Sequence, residues 1–211
     1  DTWIDDAYYN LEGAVGDAAW LVYPLALPGN DGLNQWDQPV GVQFFDAILA
    51  DLDGCFDPNR VFVTGHSSGG GMAHKLACVR GDVLRAAAPV SGILLDEDCS
   101  GQTAILQIHG ANDTLVPAST GKPGKDFWQA RNGCTETAGD PPLHPQCVSY
   151  TGCDEDFDEN FSNSKSCVMH HPEECSETVW ESSKKSYDYC SRCDNSFNAD
   201  GFHSWAIPFK R

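Results

Sequence analysis

The pentapeptide Gly65–Gly69, GHSSG, constrains the fold of this chain most strongly, because it lies between a β-favouring run and a helical pattern. The run Arg60–Thr64, RVFVT, predicts a buried strand, and residues 70–79 carry apolar side chains at helical spacing. A G-x-S-x-G pattern in the order strand, tight turn, helix is typical of a nucleophile elbow, which lifts the serine above the sheet. The pattern therefore predicts that Ser67 is a nucleophile. A chance match of the pentapeptide is the alternative.

Further short apolar runs and helical patterns surround this segment. Residues 86–90 and 104–108 predict two more strands, each ending in polar or glycine residues. The other predicted elements are helices over 1–15, 42–52 and 125–131 and a strand over 19–25. Strands that alternate with helices favour a mostly parallel sheet with helices on both faces, so we predict an α/β fold.

A serine hydroxyl needs a base, and a carboxylate must hold that base in the right tautomer. In chains with a G-x-S-x-G elbow, the expected order is serine, acid, histidine. Asp113 follows the strand predicted over 104–108 and is therefore placed at the carboxyl edge of the sheet as the acid. A turn or helix-capping aspartate is the alternative. His203, in GFHSW, is the last histidine of the chain and is predicted to be the base.

Composition excludes several classes of protein. The chain has 211 residues, 41% of them apolar, which is enough for the core of one domain. Its net charge of −18 disfavours nucleic acid and anionic membranes as partners. The longest apolar run, over 18–27, is too short to cross a bilayer. The chain is therefore expected to be soluble, and because its first residue is Asp1 and not Met, we expect it to be cropped or processed at its start.

Ten cysteines indicate an oxidising compartment, and we expect a secreted protein. Seven of the ten lie in the last 78 residues. We predict a single domain over 1–211, with its core in about 1–132 and a disulfide-stapled region over about 133–202 that carries the catalytic histidine at its end. Spacing alone leaves the pairing of the cysteines open.

Metal binding is the weaker interpretation of the Cys-rich region. Its histidines lack i, i+4 spacing, its one C-x-x-C pair competes with eight other cysteines, and its acidic run lacks the glycine of a calcium loop. These groups are His144, His170 and His171; Cys190 and Cys193; and Asp154, Asp156 and Asp158. We expect disulfides and a solvated acidic loop there, with no metal and no cofactor.

Four segments resemble the secreted feruloyl esterase and poly(3-hydroxybutyrate) depolymerase family of α/β-hydrolases. They are DPNRVFVTGHSSGGGMAHKLACVRGDVLRAAAPVSG, ILQIHGANDTLVP, FWQARNGC and GFHSW. The likeness covers about residues 1–153 and 201–205. It implies the α/β-hydrolase fold and a serine ester hydrolase that works through an acyl-enzyme.

Site residues follow from the resemblance position by position. Ser67 matches the nucleophile of the family, Asp113 its acid and His203 its general base. The backbone N–H of Ser68 matches one donor of the oxyanion hole.

The resemblance also implies a substrate-binding region and a substrate class. Trp36 and Asp37 match the W-D pair of the loop beside the active site, and we group His66 and Trp205 with them. Both tryptophans could stack on an aromatic acyl group, although burial in the core explains each equally well. The implied partners are hydroxycinnamoyl or acetyl esters of plant polysaccharides, or polyesters such as polyhydroxybutyrate and aromatic terephthalate chains. Neither nucleic acid nor a membrane is expected, and the oligomeric state stays open.

Two departures from the family pattern matter. Family members begin with strands and a His-Gly loop that gives a second oxyanion donor, and no such segment precedes Asp1, so the fold is expected to be N-terminally shortened. Either these strands belong to a part of the protein outside this sequence, a partner chain supplies them, or another N–H has taken over as the donor. The region over about 154–200 is also longer and richer in cysteine than usual. A non-catalytic descendant that acts as a binding or structural protein is therefore the alternative function.

Overall fold

The computed structural model describes seven stretches of the chain, residues 11–15, 19–28, 34–136, 147–151, 153–154, 166–170 and 205–209. The helices in these stretches are α1 (Leu11–Val15), α2 (Gln38–Asp51), α3 (Ser68–Val79) and α4 (Ala118–Arg131). The strands are β1 (Trp20–Val22), β2 (Leu27–Pro28), β3 (Asn34–Gln35), β4 (Val61–His66), β5 (Leu84–Val90), β6 (Ala104–His109), β7 (Thr135–Glu136), β8 (Cys147–Thr151), β9 (Ser166–His170) and β10 (Trp205–Phe209).

Eight of these strands form one sheet in the order β1-β10-β4-β5-β6-β9-β8-β7, and β2 pairs with β3 separately. Pairing is parallel from β4 through β5 and β6 to β9. It is antiparallel in the other four contacts of the sheet. The predicted α/β class and parallel sheet are thus confirmed for the centre, whereas "mostly parallel" does not hold at the two sides. Parallel pairing brings the carboxyl ends of β4, β5 and β6 to one edge.

The core lies between the central strands and one layer of helices. Residues of β4 alternate between buried and partly buried, with Val61 and Val63 facing the core. Phe45 of α2, Leu76 of α3 and Trp128 of α4 are buried against it. This packing fixes α3, and with it the turn between β4 and α3, on the sheet.

Helices α2, α3 and α4 contact one another in series. The side chain of Met72 in α3 packs directly against the backbone of α2 at Gly41. A Cβ added to Gly41 would lie only 2.7 Å from the Met72 sulfur atom. His74 of α3 hydrogen-bonds Trp128 of α4. These three helices therefore form a single layer, and the helices expected on the opposite face of the sheet remain a prediction.

Helix α4 begins at Ala118, seven residues before the start predicted from the pattern. The first half of this helix has a low helix propensity because it contains Gly121, Pro123 and Gly124. The hydrophobic pattern therefore did not predict it. Of the helix predicted over 1–15, the described part is α1. Strands β8 and β9 lie in the Cys-rich region, where no regular pattern was visible.

Two disulfides lie in the described stretches, Cys78–Cys99 and Cys134–Cys153. The first joins the end of α3 to the loop after β5, and the second joins the end of α4 to the segment after β8. Cys55 is free and exposed. Disulfide bonding, predicted from the cysteine content, is confirmed. Within these same stretches no helix has both the length and the apolar character to cross a membrane.

Candidate active site

Ser67 occupies the sharp turn between β4 and α3 in a backbone conformation that side chains rarely adopt. Its φ is 56° and its ψ is −118°. The turn is held from both sides, because the Ser67 N–H donates to the Val90 carbonyl at 2.9 Å and the Ser67 carbonyl accepts from the Gly71 N–H at 3.0 Å. The hydroxyl caps no N–H of the helix that it precedes. Strain of this kind typically costs about 1–3 kcal/mol and clusters at functional sites.

Two glycines permit the close backbone approach that the turn requires. A Cβ on Gly65 would collide with the carbonyl group of Gly69. A Cβ on Gly70 would lie 2.5 Å from the Val90 carbonyl oxygen and 2.9 Å from the Gly92 Cα. The glycines of the elbow thus let the start of α3 rest directly on the backbone of β4 and on the end of β5.

Ser68 links the elbow to the loop that precedes α2. Its Oγ accepts a hydrogen bond from the Trp36 backbone N–H at 3.1 Å. Asp37 is the N-cap of α2, and its Oδ1 accepts from the Val40 N–H at 3.2 Å. Both residues of the predicted W-D pair therefore lie next to the elbow, although the Asp37 carboxylate has a capping role of its own. As the first residue of α3, Ser68 has a backbone N–H without an intrahelical acceptor.

Asp113 lies four residues beyond the end of β6, with 9% of its side chain exposed. Its Oδ1 accepts two backbone hydrogen bonds, from the Leu115 N–H at 3.0 Å and the Val116 N–H at 2.8 Å. The alternative role considered from the sequence, an aspartate that stabilises a turn, is therefore observed for Oδ1. The other oxygen, Oδ2, lies 4.0 Å from Nε2 of His109.

His109, the last residue of β6, supports the same loop. Its side chain is 2% exposed, and its Nε2 lies 2.7 Å from the Val116 carbonyl oxygen. A carbonyl oxygen only accepts, so Nε2 carries the proton. The sequence placed His109 at a strand end but gave no sign of its contact with Val116, which depends on how the loop folds back.

Ser67 and Asp113 follow strands that are separated by β5, at the same edge of the sheet. Because neighbouring strands lie about 4.8 Å apart, the two strand ends are separated by roughly 10 Å, a gap that an imidazole can bridge. His66 is half-buried at the end of β4. Trp205 pairs with Gly65 through its backbone. The predicted base, His203, lies outside the described residues.

Ser91 is a site feature that the sequence did not single out. Among the described residues other than glycine, only Ser67 and Ser91 have a positive φ, and that of Ser91 is 46°. Ser91 is buried directly after β5, the strand that lies between the strands leading to Ser67 and Asp113. Its N–H donates to the Ile108 carbonyl at 2.9 Å. The only signal in the sequence is the Ser-Gly pair directly after a strand.

A layer of buried polar side chains lies between α4, α3 and the end of β6, next to the loop that carries Asp113. The Trp128 indole N–H donates to Nδ1 of His74 at 3.0 Å, and the amide of Gln107 donates to the Gly121 carbonyl at 2.7 Å. Burial, and after it the nearby His109, lower the pKa of His74 to about 3. His74 is therefore neutral at physiological pH, with its proton on Nε2.

A cavity of about 560 Å³ lies at the opposite edge of the sheet, near the starts of β4, β5 and β6. Among its lining residues are Asn59, Asp82, Arg85, Gln102 and Arg131. The Arg131 guanidinium is already bound to the carbonyls of Cys99 and Gly101. This cavity is separate from the edge that carries Ser67. Within the part of the chain that the structure describes, no cluster of three or more His, Cys, Asp or Glu side chains could hold a metal ion.

Comparison with known proteins finds feruloyl esterases. The chain is 37% identical over 141 residues to feruloyl esterase D of Neurospora crassa, which covers 61% of this chain and 48% of that protein. It is 37% identical over 138 residues to feruloyl esterase C of Emericella nidulans, and the alignment covers 62% of this chain and 48% of that protein. It is 29% identical over 172 residues to feruloyl esterase B of Piromyces equi, and the alignment covers 68% of this chain and 30% of that protein. No protein-family model matches the chain. The chain spans about half the length of the first two relatives.

Proposed function

Because the chain is a homologue of the feruloyl esterases, we propose that it is a secreted serine ester hydrolase of the α/β-hydrolase fold. In this proposal it cleaves hydroxycinnamoyl esters through an acyl-enzyme. Ser67 is the nucleophile, Asp113 the acid and His203 the base. The observation that carries the proposal is the strained backbone of Ser67 at the junction of β4 and α3.

The backbone conformation of Ser67 supports its role as the nucleophile. The positive φ lowers the stability of the fold, and the side chain makes no capping hydrogen bond that would compensate for this. The hydroxyl makes no capping bond to α3, so the turn is not maintained for that purpose. The N–H of Ser68 begins a helix whose positive dipole end favours negative charge. A tetrahedral oxyanion formed at Ser67 would be stabilised by this N–H.

The hydrogen bonds of Asp113 support its role as the acid. Two N–H donors hold Oδ1 in place, and the carboxylate is almost buried. A fixed carboxylate of this kind orients an imidazole and stabilises the imidazolium that forms during the reaction. Oδ2 is the oxygen left for that contact.

The assignment of His203 as the base is supported by its place in the chain. It precedes Trp205 by two residues, and the backbone of Trp205 pairs with Gly65, which precedes Ser67 by two residues. The pairing is antiparallel, since Ala206 pairs with Thr64. Trp205, two residues after His203 in the sequence, is thus paired with the strand that leads to Ser67.

The reaction then proceeds in two steps. Oγ of Ser67 attacks the ester carbonyl carbon while His203 accepts the hydroxyl proton, and the Ser68 N–H binds the oxyanion. The intermediate collapses, the alcohol leaves with the proton from His203, and the acyl group stays on Ser67. Water, deprotonated by His203, then attacks the acyl-enzyme. The second intermediate collapses, its bond to Oγ of Ser67 breaks, His203 returns the proton to Oγ, and the acid is released.

The catalytic assignment is tested by the hydrolysis of a short hydroxycinnamoyl ester such as methyl ferulate. We expect Ser67→Ala to lower kcat at least about 1,000-fold, because removal of a triad nucleophile leaves only binding and oxyanion stabilisation. Ser100→Ala, an exposed serine before β6, is the matched control and is expected to keep wild-type activity. Equal activity of wild type and Ser67→Ala would overturn the proposal.

The substrate class is tested separately from the chemistry. Release of ferulate from arabinoxylan is measured beside acetate release from acetylated xylan and monomer release from polyhydroxybutyrate and terephthalate polyester films. We expect ferulate release to dominate. Dominant release of polyester monomer would contradict the substrate class while leaving Ser67 in place. Absence of all four activities in folded protein would favour the non-catalytic alternative.

A further inference from the structure

We propose that His109 is a positioning residue that holds Asp113 in place for the catalytic base. The proposal rests on the function proposed above and adds a residue that acts through the acid. Its geometric basis is that the same imidazole nitrogen lies 2.7 Å from the Val116 carbonyl oxygen and 4.0 Å from Oδ2 of Asp113.

The three residues form a closed ring of contacts. The Val116 N–H donates to Oδ1 of Asp113 at 2.8 Å, and the Val116 carbonyl accepts from Nε2–H of His109. His109 therefore fixes the residue whose N–H fixes the carboxylate. Oδ2 of Asp113 lies 4.0 Å from the same nitrogen, beyond hydrogen-bond distance, so it stays available for the base.

The ring of His109 is itself held rigidly. It stands at the end of β6, with 2% of its side chain exposed, and its Nδ1 faces the backbone of α4 at Gly121. A Cβ on Gly121 would lie 2.6 Å from this nitrogen, so a side chain at this position would force the ring to shift. The imidazole therefore connects the rigid end of β6 to the loop that carries Asp113.

A positioning role predicts a loss in kcat without a loss in substrate binding. Small misplacements of a catalytic group cost on the order of 100-fold in rate. An acid that acts mainly on the transition state changes kcat, while KM follows from contacts elsewhere. We expect His109→Leu to lower kcat about 10- to 100-fold with KM within about twofold of wild type.

The first experiment is a double-mutant cycle with the full chain. Wild type, His109→Leu, Asp113→Asn and the double variant are compared for kcat and KM on methyl ferulate. If His109 acts through Asp113, the leucine variant lowers kcat only while Asp113 is present. Equal effects of His109→Leu in both backgrounds would overturn the proposal.

A matched pair of variants covers the case in which His109→Leu does not fold. His109→Gln keeps an N–H donor at about the position of Nε2, whereas His109→Asn has the same amide one bond closer to the backbone. We expect the glutamine variant to regain most of the wild-type kcat and the asparagine variant not to. Equal kcat values of the two variants would contradict a role that depends on the reach of the donor.

The outcomes separate this proposal from the proposed function. Loss of activity in Asp113→Asn with full activity in His109→Leu and His109→Asn would overturn only the positioning role. Full activity in Asp113→Asn would overturn both, because His109 would have no acid to position.

A spectroscopic measurement tests the geometry without any variant. In long-range ¹H–¹⁵N spectra of the wild-type chain, the neutral His109 ring is expected to carry its proton on Nε2. A proton on Nδ1 would contradict the bond to the Val116 carbonyl, and the positioning role with it.

Discussion

The indole N–H of Trp128 donates to Nδ1 of His74 across 3.0 Å, in a pair that is completely shielded from solvent. The bond joins α3, which begins at the elbow, to α4, which follows the loop that carries Asp113. It requires His74 to be unprotonated at Nδ1, because a doubly protonated ring has no acceptor for the indole. Two helices that position the candidate site are therefore held together by a neutral histidine.

This pair predicts how stability depends on pH. The pKa of His74 is about 3 in the folded chain, against 6.5 for an unperturbed histidine. Between these values the unfolded state binds the extra proton, so the contribution of His74 to stability is complete above about pH 6.5 and is lost as pH falls.

The test compares wild type with His74→Asn, which keeps an acceptor for the indole but does not titrate. Between about pH 7 and pH 4, we expect the free energy of unfolding of wild type to fall more steeply, by up to about 1.4 kcal/mol per pH unit. Urea unfolding at several pH values measures this difference. Identical slopes would show that His74 does not titrate on unfolding.

The close approach at the elbow predicts opposite effects for two adjacent glycines of α3. A Cβ at Gly70 meets the Val90 carbonyl oxygen at 2.5 Å, whereas at Gly71 the nearest atom, the Ile93 carbonyl oxygen, is 3.6 Å away. Gly70→Ala is expected to lower the free energy of unfolding by about 1–3 kcal/mol through overpacking. Gly71→Ala is expected to be neutral or stabilising by up to about 1 kcal/mol, since alanine favours helix. Chemical unfolding of both variants gives the comparison, and equal destabilisation would argue against the described packing of the elbow.

The positive φ of Ser67 predicts that the variants Ser67→Gly and Ser67→Ala differ in stability. Glycine adopts this conformation readily, whereas the Cβ of alanine causes the same steric strain as the Cβ of serine. We expect Ser67→Gly to unfold with a free energy about 1 kcal/mol higher than Ser67→Ala. Thermal and urea unfolding would provide the values. A glycine variant that is less stable than the alanine variant would mean that Ser67 is not strained.

The Cys78–Cys99 disulfide predicts a large effect from a pair of conservative changes. Its cysteines are 21 residues apart, and a bridge that closes a loop of this size typically contributes about 3 kcal/mol. Cys78→Ser combined with Cys99→Ser is expected to lower the free energy of unfolding by roughly that amount. Cys55→Ser, at a free and exposed cysteine, is the matched control. No difference between the double variant and this control would exclude a stabilising role for the bridge.

The elbow could be predicted from local sequence because the strand, the glycines and the helix that form it follow one another along the chain. The central strands were predicted for the same reason, from short apolar runs. The hydrogen bonds of the elbow to Val90 and Trp36 join distant parts of the chain and could not be predicted in this way. The sequence could place Asp113 at this edge because the carboxyl ends of parallel strands share it, and its role as the acid stays a prediction. Of its two carboxylate oxygens, only Oδ1 takes part in the local turn.

Elements that depend on distant contacts could not be predicted in this way. The first half of α4 contains Gly121 and Gly124, which disfavour helix but allow Gln107 and His109 to reach its backbone. Strand β10 contains Pro208, which disfavours a strand, yet it pairs on both sides. The contact of His109 with Val116 likewise depends on a loop that folds back on its own strand.

Covalent labelling shows whether Ser67 is an activated nucleophile. A fluorophosphonate probe transfers its phosphonyl group to an activated serine and releases fluoride, and mass spectrometry of the digested chain locates the adduct. We expect one adduct per chain, on the peptide that contains Ser67, with labelling abolished in Ser67→Ala and slowed in Asp113→Asn. An adduct on another serine, or an unlabelled chain that still hydrolyses methyl ferulate, would contradict the role of Ser67 as the nucleophile.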